Sequence, residues 1–320
     1  MRTTTGSYIC LFALINLACT SCNKGVEFSS QEQNDIAPPS VQSIVYVSTA
    51  TQRGFEIYLS NDLQHSFLLT WGGFSFQPSW SPDKQWIIYE RGFLDTTGFQ
   101  IWKMKYNGDS KTRLTNPADD AQSARWSPDG TRIAFHMHRA GRIDIFTMDP
   151  SGANVQQVTT GATVPFWTNA AFLFADWSND SKSLMFTYQR GDGPIGNSSL
   201  GIITLANGNF RSISFFDTLR PFYARYSPTR DEITFVGLSP NSTVGPQIFR
   251  AATDGSELIT ISDCFWARDP DWSADGERII YTRYESSVED PSEIWSVNRD
   301  GSNQRRLLHS SAFCSLLANW

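Results

Sequence analysis

The sequence predicts an all-β protein: a six-bladed β-propeller of four-stranded antiparallel blades, its ring closed by a C-terminal strand joining the N-terminal blade. Three observations carry this. An aromatic-Ser turn motif recurs at a period near 48 residues. Each recurrence is followed by three short β-rich runs, with no helical periodicity between them. The two ends of the chain supply complementary parts of one further blade.

The motif first appears as Trp80-Ser81-Pro82-Asp83-Lys84 and returns as Trp126-Ser127-Pro128-Asp129-Gly130. It recurs as Trp177-Ser178-Asn179-Asp180-Ser181, Tyr226-Ser227-Pro228-Thr229-Arg230 and Trp272-Ser273-Ala274-Asp275-Gly276. The aromatic leaders are 46, 51, 49 and 46 residues apart, and Trp320 follows Trp272 by 48. Pro presets φ, Asp accepts local backbone hydrogen bonds and Gly takes positive φ, so each motif is a turn. A strand follows at once, as in Arg132-Ile133-Ala134-Phe135 and Arg278-Ile279-Ile280-Tyr281. A second run comes after a variable loop, as in Ile143-Asp144-Ile145-Phe146 and Ile294-Trp295-Ser296-Val297. A Gly-containing hairpin such as Asp254-Gly255-Ser256 leads to a last short run. With the leader strand this makes four strands, A to D from the axis outward, which is one propeller blade. A lone blade cannot bury both faces, so blades stack into a ring.

The first blade has strands B, C and D at Ile44-Val45-Tyr46-Val47, Glu56-Ile57-Tyr58-Leu59 and Phe67-Leu68-Leu69-Thr70, but no leader. Leu316-Leu317-Ala318-Asn319-Trp320 reads as an inner strand without the rest. Pairing the two makes the sixth blade and removes bare sheet edges.

The N-terminus reads as an export signal. Arg2 is its only charge, and residues 8–18 form an apolar run too short for a stable membrane span. Three segments are expected: a lipoprotein signal peptide at 1–21, a flexible tether at 22–42 and the propeller at 43–320. Ser21 before Cys22 resembles a bacterial lipobox, so Cys22 is the expected acylation site. Cys19 is the alternative cysteine, and a plain cleaved signal the alternative process. The net charge of −6 argues against a general nucleic-acid binder. Cys264 and Cys314 lie in neighbouring D–A loops, where an oxidising compartment permits a disulfide; two buried thiols are the alternative.

The Trp-Ser-Pro-Asp-Gly leader with its Ile-Ala-Phe type strand resembles the WD40-like PD40 repeat. That repeat builds the propeller of the periplasmic TolB family and of many bacterial exported propellers. The resemblance covers residues 43–320 and implies the fold, while a propeller hosts many functions. TolB-type proteins carry an α/β domain before the propeller. Here a tether is expected in its place, so that family's partners are not carried over. Propellers of prolyl-oligopeptidase-like peptidases are also similar, but no Gly-x-Ser-x-Gly elbow is present.

The B–C and D–A connections share one face, and several are long and rich in Gly, Pro, Ser and aromatics. Trp167 and Trp266 in D–A loops, with Arg268 and Asp269, are the expected lining of a channel mouth. Arg125, Asp176, Arg225 and Asp271, each one residue before a leader, are expected to point into the same channel. The alternatives are aromatics that plug the ring and charges that pair between blades. His136-Met137-His138 places two imidazoles on one strand, which is too little for a metal site, and hairpin chemistry explains the Asp-Gly-Ser turns without calcium. No metal or other cofactor is therefore expected. The sequence reads as a non-catalytic, monomeric envelope lipoprotein, anchored to the membrane through its acyl group. Its loop face would bind an envelope protein, peptide or glycan, and not nucleic acid. The rival reading is a propeller-fold polysaccharide lyase or glycoside hydrolase with its site at the channel mouth.

Overall fold

The computed structural model describes residues 36–40, 43–48, 54–92, 98–164, 170–190, 198–213, 215, 219–239, 245–263, 266–284, 292–309 and 318–319. The signal segment, Cys19, Cys22, Trp167, Cys264 and Cys314 lie outside the described residues.

Every regular element among the described residues is a strand. The chain opens with β1 (Ile44–Ser48), β2 (Glu56–Ser60) and β3 (Phe67–Leu68). The second blade is β4 (Phe74–Trp80), β5 (Trp86–Gly92), β6 (Gln100–Lys105) and β7 (Thr112–Arg113). The third is β8 (Asp120–Trp126), β9 (Ile133–Arg139), β10 (Arg142–Met148) and β11 (Gln156–Gln157). The fourth is β12 (Ala170–Trp177), β13 (Ser183–Arg190), β14 (Ser198–Thr204) and β15 (Phe210–Ile213). The fifth is β16 (Arg220–Tyr226), β17 (Glu232–Leu238), β18 (Gln247–Ala252) and β19 (Ile259–Thr260). The sixth is β20 (Ala267–Trp272), β21 (Arg278–Tyr284), β22 (Ser292–Asn298) and β23 (Arg305–His309), and β24 (Ala318–Asn319) is last. These form six four-stranded antiparallel sheets, the six blades of a propeller. β24 lies beside β1, with Val45 opposite Asn319 and Tyr46 opposite Ala318.

The repeated motif is a scaffold device. Ser81 Oγ donates to Asp83 Oδ1 (2.5 Å) and accepts from Trp86 N (2.9 Å), while Gln85 N donates to the same carboxylate (3.0 Å). Ser127 and Asp129, Ser178 and Asp180, and Ser273 and Asp275 repeat the arrangement. These bonds favour the ionised Asp and hold Asp129, Asp180 and Asp275 below the usual carboxylate range. The leader ring then locks blade to blade: Trp177 Nε1 donates to Arg125 O (3.1 Å) and Trp272 Nε1 to Arg225 O (3.3 Å). Between blades the core is aromatic and aliphatic, with Tyr89, Phe135, Phe172, Phe186, Phe235 and Tyr281 fully buried.

Residues 36–40, assigned to the tether by composition, lie on the ring. Ile36 is buried in the core of the first blade, and Asn61 Nδ2 donates to Ala37 O (3.0 Å). Lys84 Nζ donates to Ser40 O (3.0 Å). Burial of Ile36 and these two hydrogen bonds dock the segment.

Gly152 in the β10–β11 hairpin has φ +87°, and a Cβ there would sit 2.6 Å from Leu114 O of the neighbouring blade. Gly152→Ala is expected to cost about 2–4 kcal/mol, since strain and a backbone clash add. Gly208 has φ +70° but open space around it, so Gly208→Ala should cost only about 1 kcal/mol. Urea unfolding midpoints of the two variants test the difference; equal losses would refute the clash.

Candidate functional site

Each of the five strands β4, β8, β12, β16 and β20 slips register at one place, three residues before its leader. The slips fall between Phe76 and Ser79, Gln122 and Arg125, Leu173 and Asp176, Phe222 and Arg225, and Arg268 and Asp271. Gln77, Ser123, Phe174, Tyr223 and Asp269 there have φ between 49° and 55°. A non-glycine residue in the left-handed region is strained, and five at equivalent positions mark a built feature of the inner strands.

Three of these side chains close the axis. Blades two and five stand opposite one another in a ring of six. Gln77 Nε2 of blade two nevertheless donates to Tyr223 Oη of blade five (3.3 Å). Tyr223 in turn stacks on Phe174 of blade four, with ring centroids 3.9 Å apart. A bar of side chains therefore crosses the axis at this level. Burial, with the Asp269 carboxylate adding to it, pushes the Tyr223 phenol above its ordinary range.

Strand B supplies a second set of axial groups at the register positions opposite the slips. Glu90 faces Phe76, His136 faces Gln122 and Thr187 faces Leu173. Glu90 accepts a hydrogen bond from Ser123 N through Oε1, while its Oε2 is enclosed without a partner among the described residues. Burial raises the Glu90 carboxyl to about 8. His136 presents its ring edge-on to Phe174 (5.6 Å), and burial lowers its imidazole to about 3. His138, its neighbour in the sequence motif, is exposed. Among the described residues no three His, Cys, Asp or Glu side chains cluster closely enough to hold a metal ion.

The charges one residue before the leaders alternate around the ring: Arg125, Asp176, Arg225 and Asp271 on blades three to six. At a rise of about 3.3 Å per residue they lie some 7 Å past the bar, toward the short A–B turns. Arg125, Asp176 and Asp271 are half-buried. Arg225 is 5% exposed. Burial, and then the like charge of Arg225, lower Arg125 to about 10, while burial raises Asp176. Arg268 and Asp269 lie at the bar itself, and burial lifts the Asp269 carboxyl to about 6 against the pull of Arg268. The axial charges thus occupy two levels.

Residues 123–316, more than half of the chain, match the PD40 family, described as the TolB beta propeller domain. The chain belongs to the TolB β-propeller family. The crystal structure of TolB from Acinetobacter baumannii is similar at a TM-score of 0.70 and 18% identity, over 86% of this chain and 65% of that one. An oligogalacturonate lyase in complex with manganese is similar at a TM-score of 0.53 and 16% identity, over 84% and 72% of the two chains. An uncharacterized protein of Agrobacterium fabrum is 22% identical over 219 residues, 66% of this chain and 55% of that protein. The chain therefore spans only 55% and 65% of the lengths of the Agrobacterium and Acinetobacter relatives. Structural likeness at these identities carries the fold alone.

The loop face of this TolB-type propeller carries two aromatics of different kinds. Trp71 is half exposed in the loop before β4, its carbonyl accepting from Arg91 Nη2 (3.0 Å). Trp266 has φ +69° and covers Gly245, where a Cβ would lie 2.6 Å from its indole ring. Trp266 thus seals one blade's D–A connection over the B–C connection of its neighbour. A rim groove of about 720 Å³ runs between blades two and three, lined among others by Asn116, Met137, Arg139 and Val155. The ion pair of Arg139 with Asp119 (3.0 Å) spans it. The bulges, the bar and the strand-B groups Glu90 and Thr187 escape sequence reasoning, because no shared residue type marks them.

Proposed function

We propose that this TolB-type propeller is a non-catalytic scaffold of the bacterial cell envelope. It holds a protein, peptide or glycan on the face built by the B–C and D–A loops. The observation that carries the reading is the Tyr223–Gln77 bar. Among the described residues it crosses the axis, which favours a partner held around that bar over a substrate drawn into a central channel. Exposed Trp71 on that face gives a partner flat apolar area beside the Arg91 cation. The same reading takes residues 1–21 as an export signal and Cys22 as the acyl anchor that keeps the platform at the membrane.

A photo-crosslinking residue placed at Trp71 in cells tests this, with one at Asn303 on the opposite face as control. A discrete adduct from Trp71 alone is expected. Equal adducts from both positions would overturn the loop-face assignment. Turnover of oligogalacturonate by the purified protein, lost on changing Asp269 or Asp271, would favour the lyase reading instead.

A further inference from the structure

Trp71 is the only exposed Trp, Tyr or Phe among the described residues. Its loop, between β3 and β4, is held on both sides of the indole. Glu56, 1% exposed on β2, accepts from Thr70 Oγ1 through Oε2 (2.6 Å) and from Gly73 N through Oε1 (3.2 Å). Arg91 on β5 donates from Nη2 to Trp71 O (3.0 Å). Its guanidinium lies directly against Gly73, where a Cβ would meet Nε at 3.0 Å, and beside the Trp102 ring (5.8 Å). Thr70 Oγ1 also accepts from Ile57 N (2.9 Å), and Ser75 N donates to Phe55 O (2.8 Å), so both ends of the loop are tied down. Burial raises the Glu56 carboxyl, while the bonds from Thr70 and Gly73 and the Arg91 charge favour its ionised form. Part of this device recurs: Thr115 Oγ1 donates to Gln100 Oε1 (3.0 Å) and Thr159 Oγ1 to Asp144 Oδ1 (3.2 Å) on blades two and three. On blade one it reaches further, to Gly73 N, with Arg91 added on Trp71 O.

We propose that Glu56 and Arg91 are positioning residues for a binding anchor at Trp71, fixing the backbone beneath the indole before a partner arrives. The inference rests on the loop-face reading above and names the residues that give that face its affinity. A buried carboxylate is costly to keep, and the bonds of Glu56 converge on the residues either side of Trp71. An indole on a clamped loop offers its flat apolar area without losing backbone freedom on association, which is where a mobile loop forfeits affinity. The partner group that fits is one with a flat apolar face. Neither Glu56 nor Arg91 need touch it: each acts through the loop.

Fluorine NMR of protein labelled with 5-fluorotryptophan reads the loop directly, Trp71 being the resonance lost in Trp71→Phe. In the parent its line should be as broad as those of buried Trp80 and Trp177. Glu56→Gln should narrow it about twofold or more, as a loop freed on the nanosecond scale does. The same change should cut the adduct from a photo-crosslinker at position 71 to less than about half. Gly152→Ala, which strains the ring far from this loop, should alter neither readout. A Trp71 line already narrow in the parent, or unchanged in Glu56→Gln, would overturn the proposal. So would a freed loop that gives undiminished adduct. Should Glu56→Gln fail to fold, Arg91→Lys replaces it, keeping the charge but losing the fork that reaches Trp71 O, with the same results expected. Absence of any adduct from the parent would count against the loop-face reading itself, while the line widths still decide whether the clamp exists.

Discussion

A chain ending at residue 315 is expected to melt well below the full chain, by about 10 °C or more, and over a broader range. The deletion removes β24, so β1 would face the axis as a bare edge. Ile44, Val45 and Val47 are fully buried in the described structure, and uncovering them costs roughly 1.5–3 kcal/mol each. β24 also packs against β4 on one side and against β20 and β21 on the other. Its loss therefore opens the seam between the first and sixth blades as well as one sheet edge. A ring is cooperative because each blade is covered by two neighbours. Breaking one seam turns it into an open stack whose end blades fray first. Differential scanning calorimetry decides the matter. A truncated chain that melts in one sharp transition at the parent's temperature would show that the ring does not depend on this strand.

The blade plan was legible because its signal is chemical as well as periodic. Ser and Asp at fixed places in the turn bond the backbone of the same turn, as Ser127 and Asp129 do, so their spacing cannot drift without losing the turn. Tryptophan leaders are legible for a similar reason, since Trp177 and Trp272 each reach the backbone carbonyl of the preceding blade. The axial plug was legible as an alternative, but its strand position was not. Gln77, Ser123, Phe174, Tyr223 and Asp269 occupy one structural position yet share no chemistry. Inner-strand geometry at the axis forces the left-handed conformation there, with no glycine to announce it. From sequence Tyr223 reads as one of the D–A loop aromatics that could plug the ring, whereas it lies mid-strand in β16 and meets Phe174 of β12 at the axis. Likewise the six charges near the leaders appear as one group along the chain. The bulge separates Arg268 and Asp269 from Arg125, Asp176, Arg225 and Asp271, and only the register reveals it.

Glu90→Gln is expected to stabilise the protein at pH 8 and to change little at pH 4.5. The folded protein holds the Glu90 proton up to about 8, whereas the unfolded chain releases it near 4.5. Between those values the native state binds more protons than the unfolded one. Stability from this group is therefore intact at low pH and falls as pH rises, by up to ~1.4 kcal/mol per unit. Gln keeps an acceptor for Ser123 N and has no proton to lose. The gap in melting temperature between variant and parent should open from near zero at pH 4.5 to about 4 °C or more at pH 8. His136 acts in the opposite direction. Its imidazole stays neutral in the fold down to about 3, while the unfolded chain protonates near 6.5, so stability is lost as pH falls through that window. His136→Gln should therefore flatten the acid limb and Glu90→Gln the alkaline limb. The two residues sit at equivalent register positions on adjacent blades, so one inner ring would set both edges of the stability range. A Glu90→Gln profile parallel to the parent's from pH 4.5 to 8 would show that the carboxyl is ionised in the fold and that the axis is wetter than its packing implies.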